Sequence, residues 1–309
     1  MKIISLNIRG FGVDGKLDWA KELCRKEKPN FMAFQETKCH NLSDFWVQNL
    51  WGSSDFGFIQ KDAIGNSGGL LLIWDTNFFE ATEATGDEFF LAVRGKWKPS
   101  GIESIIVNVY GPHCDPGKIR FWESLEKLLN SVDSTWALCG DFNEVRYQAE
   151  RLNCVFYASR AKRFNEFIDR NQLVEIPLGG KMFTRTSDDG LKFSKLDRFL
   201  VSDSFVHIWE DLSVVALDRK QSDHCPLLLR DKIIDFGPKP FKVFDVWFKC
   251  EGINTVVTEA WNKGVFGLRK DCILRDKMKN VKVALKAWSY VNFGKLDKEI
   301  DDLKTEALE

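Results

Sequence analysis

The sequence has no Cys-x-x-Cys pair and no close Cys/His group at zinc spacing, although it holds eight cysteines: Cys24, Cys39, Cys114, Cys139, Cys154, Cys225, Cys250 and Cys272. A structural zinc site is thereby excluded. The cysteines read as buried or free thiols in a reducing compartment. No apolar run approaches the roughly 20 residues that a membrane span needs. The start, Met1-Lys2-Ile3-Ile4-Ser5-Leu6, enters a strand-like pattern without the longer apolar region and cleavage site of a signal peptide. An intracellular protein with no membrane partner is expected. An excess of positive charge is also missing: 44 Lys and Arg face 45 Asp and Glu, for a net charge of −1. A strongly basic coat for nucleic acid is absent. A nucleic-acid substrate is not excluded, because a local basic rim suffices for one and a metal-binding floor is itself acidic. There is no internal repeat and no low-complexity tract.

What is present is an α/β pattern over 309 residues, enough for one large domain or two modest ones. Strands are predicted at Ile3–Ile8, Phe31–Gln35, Gly69–Trp74, Phe89–Trp97, Glu103–Tyr110, Thr135–Cys139, Leu196–Val201, Leu212–Leu217 and Cys225–Leu229. Helices are predicted at Lys16–Lys26, Pro116–Ser131 and Ser159–Asn171. The second starts at Asp115-Pro116, a capping residue followed by a good first helical residue. Many short strands with few helices suggest two packed sheets flanked by helices. The texture changes at Ile233-Ile234-Asp235-Phe236-Gly237-Pro238-Lys239-Pro240, which reads as a linker. A main domain over 1–231 and a linker with amphipathic helices over 232–309 are expected. In the second, Leu274, Met278, Val281, Leu285 and Trp288 recur at helical spacing. Leu296, Ile300 and Leu303 continue it after a break at Asn292-Phe293-Gly294, as in a helical hairpin or short coiled coil.

Polar residues sit at strand ends. Asn7 lies within Leu6-Asn7-Ile8, and Gln35-Glu36-Thr37 follows Phe31–Phe34. Tyr110-Gly111-Pro112 ends one strand, and Gly140-Asp141-Phe142-Asn143 follows another. Asp197 sits in Lys195-Leu196-Asp197-Arg198, and Ser222-Asp223-His224 precedes Cys225–Leu229. Each alone has a bland reading. Asp-Phe-Asn after a strand is usually a turn, a Glu there is usually solvated, and a His beside an Asp is usually a satisfied pair. The joint occurrence, in this order, outweighs those readings.

The order Leu6-Asn7-Ile8-Arg9-Gly10, Gln35-Glu36-Thr37, Val109-Tyr110-Gly111-Pro112, Gly140–Asn143, Ser194–Arg198 and Ser222-Asp223-His224 resembles the endonuclease/exonuclease/phosphatase superfamily, which includes pancreatic DNase, AP endonucleases and inositol polyphosphate phosphatases. The resemblance spans nearly all of 1–231. It implies a four-layer α/β sandwich, two packed β-sheets flanked by helices, followed here by a C-terminal helical extension. Within the superfamily the chain is most similar to the endonuclease domain of plant LINE-type (non-LTR) retrotransposons. The likeness rests on Ile8-Arg9-Gly10-Phe11-Gly12, on Phe183–Ser187 with Ser194–Ser202, and on Phe236–Phe241 with the helices that follow. It implies a nuclear, Mg²⁺-dependent enzyme that nicks DNA, with Mn²⁺ as the alternative ion. The reverse transcriptase module expected downstream of such a domain would be a further partner.

By the same resemblance Asn7, Glu36, Tyr110, Asp141, Asn143, Asp197 and His224 are the catalytic residues. Glu36 is a hard oxygen ligand suited to Mg²⁺, with Asn7 beside it and Asp223 as a second metal position. Asp141 would position or deprotonate the attacking water. Asn143 and Tyr110 would donate to the phosphate. Asp197 would orient His224 and raise its pKa, as the carboxylate does in a catalytic triad. DNA contacts are expected from Arg9, Thr184, Arg185, Lys192, Lys195 and Ser222. The hairpin around Asp188-Asp189-Gly190 is basic, and a solvated surface hairpin is its bland reading. At Arg185 the family usually has an aromatic residue. Two other functions are weighed: a phosphatase of the same fold acting on inositol phosphates, and a silent retroelement fragment with an interaction tail.

Overall fold

The computed structural model describes residues 1–65, 67–209, 211–231, 241, 243, 247–248, 250–265 and 270–306, the last stretch as helical backbone alone from 293 onward. The chain divides into two compact units, Met1–Ile234 and Asp235–Glu309. In chain order the larger runs β1 (Lys2–Asn7), α1 (Lys16–Glu27), β2 (Phe31–Gln35), α2 (Asp44–Trp51), β3 (Phe56–Ile64), β4 (Ser67–Asp75), β5 (Phe79–Gly86), β6 (Phe90–Trp97), β7 (Glu103–Tyr110), α3 (Asp115–Leu129) and β8 (Trp136–Asp141). It continues β9 (Arg151–Leu152), α4 (Ala158–Arg170), β10 (Leu173–Glu175), β11 (Leu178–Gly179), β12 (Arg185–Thr186), β13 (Phe193–Ser194), β14 (Asp197–Ser202), α5 (Asp203–Ile208), β15 (Ser213–Ala216) and β16 (Leu227–Arg230).

Two mixed sheets form, in the orders β11-β15-β16-β1-β2-β4-β3 and β10-β14-β8-β7-β6-β5, with a small third sheet β12-β13-β9. The apolar faces of the two large sheets pack on each other through Ile3, Phe31, Leu72, Val93, Ile106 and Phe199. Helices α1 and α2 cover the outer face of the first sheet with Trp19, Leu23, Val47 and Leu50. Helices α3 and α4 cover the second with Phe121, Trp122, Phe164 and Phe167. The result is the four-layer sandwich. Central strands are buried on both faces, which is why they read as continuous apolar runs.

Four strands of the two large sheets, β3, β5, β10 and β11, escape that reading, and all four are sheet edges. β5, Phe-Glu-Ala-Thr-Glu-Ala-Thr-Gly, is exposed after its first residue, and β3 is mostly half-exposed. Edge strands carry charge and hydroxyls that discourage pairing with other chains, and those residues hide the apolar signal. Two short helices also escape it. Each opens on a Ser-Asp pair whose serine hydroxyl accepts a backbone N–H: Ser43 from Trp46 and Ser202 from Phe205.

Position in the sheets converges the polar strand ends. β1 and β2 are parallel, as are β7 and β8, so Asn7, Glu36, Tyr110 and Asp141 emerge at carboxyl ends. β14 runs antiparallel to β8 and sets Asp197 directly opposite Asp141. β16 runs antiparallel to β1, so the residues just before it arrive beside Asn7. Below them a polar bridge ties the sheets together. Gln35 Nε2 donates to Asn108 Oδ1 at 2.6 Å, and Asn108 Nδ2 donates to the carbonyls of Phe34 and Leu71.

The smaller unit holds α6 (Ile253–Asn262) and α7 (Lys270–Glu306). Trp247, Ile253 and Leu285 form its core, with Val281 and Trp288 against them. The break expected at Asn292-Phe293-Gly294 does not occur: α7 runs through it. The hairpin is instead made by α6, which lies in the stretch read as helical but to which the sequence pattern gave no bounds. Leu274 and Met278 of the expected apolar seam are exposed. The expected linker at 233–240 lies outside the described residues.

Candidate active site

Backbone geometry at the strand ends sets the site. Arg9, Glu36 and Asn143 all take positive φ, at 54°, 51° and 50°. Each such residue costs about 1–3 kcal/mol and persists only where its surroundings hold it. The glycines beside them are obligatory. A Cβ on Gly140 (φ 144°) would lie 2.0 Å from the Val109 carbonyl oxygen, and one on Gly111 would lie 2.3 Å from that of Phe142. Only a bare backbone lets the Tyr110 and Asp141 turns interlock.

Two buried lysines hold these strained turns from behind. Lys16 Nζ donates to the carbonyls of Ile8 and Arg9 at 2.7 and 2.8 Å. Lys118 Nζ donates to the Asn143 carbonyl at 2.7 Å and lies 3.0 Å from Glu144 Oε2. Burial lowers the pKa of both ammonium groups. Neither lysine was expected, yet a signal exists. Lys16 with Trp19, Ala20 and Leu23, and Lys118 with Phe121, Trp122 and Leu125, fall on the buried stripe of their helices. A cation on that stripe requires a buried acceptor.

The side chains meet at the sheet edge. Asn7 Nδ2 bridges Glu36 Oε1 at 3.1 Å and Asp141 Oδ2 at 3.0 Å. Tyr110 donates to Glu36 Oε1 at 2.8 Å. Burial first, then the Glu36 charge, push the Tyr110 phenol well up, so it remains a donor. His224 Nδ1 lies 2.8 Å from Asp197 Oδ2, and its Nε2 lies 3.8 Å from Asp141 Oδ2. Burial is the largest influence on His224 and pulls its pKa down, but Asp197 and Asp141 outweigh it and lift it to about 9. Burial raises the Asp141 pKa, and the His224 charge opposes that rise. The two groups face each other across 3.8 Å in a dry setting, so the charge of each biases the protonation of the other.

Other expected residues take supporting places. Asn143 donates its side-chain amide to Gly111 O and its backbone N–H to Asp141 Oδ1, which fixes the Asp141 carboxylate. Thr184 is buried, and its hydroxyl accepts the backbone N–H groups of Leu196 and Asp197. Ser222 donates to the Asn7 carbonyl and accepts from the His224 N–H, clamping the histidine turn to β1. Arg185 is half-exposed and holds Asp223 Oδ2 at 3.1 Å, with Arg9 at 3.5 Å on the same oxygen. Lys192 is exposed on the hairpin. Lys195 is engaged by Glu175 at 2.6 Å, in a buried network with Arg198 and Glu150. His113, edge-to-face with Tyr110 at 6.4 Å between ring centres, was not expected.

A divalent cation fits two groups of donors. Glu36 receives both of its hydrogen bonds on Oε1, and no described residue donates to Oε2. That leaves a hard, open oxygen of the kind Mg²⁺ takes. The ligand atoms of Asp141, Asp197 and His224 also lie within 4.8 Å of one another. The second group is already bonded within itself, so Glu36 is the better-fitted ligand. Asp223 Oδ1 is buried without a partner, but two arginines already neutralise that carboxylate.

The sequence model of the Endonuclease/Exonuclease/phosphatase family matches residues 4–224. The chain belongs to this family. Members of the DNase I-like fold superimpose on it. They include an AP endonuclease from Leishmania major (17% identity, TM-score 0.59, covering 74% of this chain and 86% of that one). A 3′ phosphatase from Neisseria bound to product DNA hairpin matches at 17% identity and TM-score 0.58, covering 74% and 98%. The endonuclease domain of TRAS1, a telomere-specific non-LTR retrotransposon, matches at 12% identity and TM-score 0.58, covering 75% and 99%. At these identities the likeness establishes the fold, that of nucleases and phosphatases. No curated protein sequence matches the chain. Among the described residues no helix is long and apolar enough to cross a membrane.

Proposed function

We propose that this family member is a Mg²⁺-dependent endonuclease that nicks one strand of DNA. The observation that carries the reading is the buried Asp197–His224 pair facing Asp141, beside a Glu36 with one oxygen open to a cation. That set meets the needs of phosphodiester hydrolysis: an activated water, a held phosphate and relief of charge on its oxygens.

Asp141 is the base. Burial raises its affinity for a proton, while Asn7 and the Asn143 N–H hold its two oxygens in place. Water attacks phosphorus as Asp141 takes its proton, one P–O bond of the backbone breaks, and the departing oxygen leaves as a hydroxyl that takes its proton from solvent. His224, kept cationic by Asp197, faces the negative charge that develops on the phosphoryl oxygens. Glu36, steadied by Asn7 and Tyr110, would hold the divalent cation, which supplies Lewis-acid charge relief when bound. Mn²⁺ is the expected substitute for Mg²⁺.

We read the chain further as derived from a LINE-type element, which would place it in the nucleus and beside a reverse transcriptase module. The sequence Phe183-Thr184-Arg185-Thr186-Ser187 and the structural likeness to the TRAS1 domain support this. The test of function is conversion of supercoiled plasmid to relaxed circle in Mg²⁺. Wild-type protein should nick, and His224→Ala and Glu36→Ala should not. Absence of relaxed circle, or equal nicking by the variants, would sink the proposal. Phosphate release from inositol polyphosphates without plasmid nicking would favour a phosphatase.

A further inference from the structure

A cleft of about 560 Å³ opens beside Asp223, lined by Arg9, Lys16, Lys38, Arg219 and Lys220, with Asp188 at its edge. Its cations are not equivalent. Lys16 is spent on backbone carbonyls, and Lys220 pairs with Glu22 at 2.7 Å. Arg9 stands at the end nearest the active site, 3.5 Å from Asp223. Its guanidinium is gripped from the outside by Asp188 through two parallel bonds, Nη1 to Oδ1 at 2.6 Å and Nη2 to Oδ2 at 3.0 Å. This fork is also the geometry in which arginine takes a phosphate.

Asp188 comes from the tip of the β12–β13 hairpin, whose turn is closed by Ser187 N–H to Lys192 O and Gly190 N–H to Ser187 O. Its carboxylate is 74% exposed and the Arg9 side chain 41% exposed. A pair so exposed is weak and exchangeable. The rest of the cleft adds positive charge from Lys38 and Arg219.

We propose that Asp188 occupies the place of a substrate phosphate. The cleft takes the phosphate next to the scissile one on a nucleic-acid strand, and that phosphate displaces Asp188 from Arg9. The inference rests on the proposed function for its substrate class. Binding is then an exchange of one anion for another on Arg9. Without Asp188 the same arginine, which still lies 3.5 Å from Asp223, adds more of its charge to the DNA contact, with release of up to one further counterion.

The test is the binding of a fluorescently labelled DNA oligonucleotide to the full chain in EDTA, read by anisotropy between about 50 and 200 mM salt. Asp188→Asn should bind about two- to five-fold tighter, the factor that corresponds to an exposed ion pair. The log–log salt slope should steepen by up to about 0.7–0.9. Asp188→Ala should repeat this if the asparagine retains a bond to Arg9. Arg9→Gln should weaken binding, and Asp188→Asn added to it should have no further effect. An unchanged affinity and slope in Asp188→Asn and Asp188→Ala would overturn the inference, as would an equal gain in the Arg9→Gln background. So would the absence of binding in every background. Plasmid nicking by the wild type is scored separately, so an enzyme that nicks but shows no Asp188 effect loses this inference and keeps its proposed function.

Discussion

Replacing Lys118 by Met should cost the larger unit roughly 3 kcal/mol, the low end of the range for breaking a buried ion pair. Lys118 and Glu144 lie 3.0 Å apart with side chains only 3% and 2% exposed. Removal of the ammonium leaves Glu144 charged in a dry site and removes the donor to the Asn143 carbonyl. The low end applies because Arg151 lies 3.9 Å from the other Glu144 oxygen and compensates in part. Methionine keeps most of the stem's volume, so the loss is electrostatic and not a cavity. For a unit of this size about 1 kcal/mol moves Tm by about 2–4 °C, so a fall of about 6–12 °C is expected by calorimetry of the full chain. The double variant Lys118→Met, Glu144→Gln removes both charges and should recover at least half of the loss. Its nicking should stay below wild type, because the strained Asn143 turn has lost its rear support. A single variant within about 1 kcal/mol of wild type, or a double variant no more stable than the single, would refute the reasoning.

Further expectations concern the site. His224 has a folded pKa raised to about 9, above the ordinary imidazole value of about 6.5. Its charge, and the stability that charge lends, should be complete below about 6.5 and lost as pH rises through about 9. A nicking rate that shows no alkaline fall would contradict this. Asp197→Asn should move that limb to lower pH and slow nicking by ~10²–10⁴. EDTA should abolish nicking and Mg²⁺ restore it. Asn7→Ala, which leaves Glu36 Oε1 held by Tyr110 alone, should raise the Mg²⁺ needed for half-maximal rate by ~10–100-fold in a metal titration. Gly140→Ala should lower Tm through at least ~1–3 kcal/mol of backbone strain, measured by thermal unfolding.

Much of the fold was legible because the central strands are buried on both faces. β1, β2, β7, β8 and β16 announce themselves as apolar runs, and each is followed or preceded by the polar residue it delivers. The edges β3 and β5 were not legible, since exposure gives them polar sequences. The chemistry-bearing residues were legible as residue types at strand ends. Their roles were less so. Thr184 and Ser222 could be placed near the site from sequence, but only the structure shows their hydroxyls bound to backbone beneath Asp197 and His224.

By itself the sequence determined which strands form the core, which polar groups stand at their ends, and, through the order of its motifs, the family. Those properties are local, set by burial pattern and by short runs of residues. The tertiary structure alone decided which of these groups meet. Parallel pairing of β7 with β8 and antiparallel pairing of β14 with β8 bring Tyr110, Asp141 and Asp197 into one row, across separations no local pattern encodes. It alone decided that Lys16 and Lys118 turn inward to carbonyls, that Lys195 serves an internal network, and that Asp188 reaches Arg9. A charged side chain takes its role from the partner it finds, and that partner is chosen by the packing of distant segments.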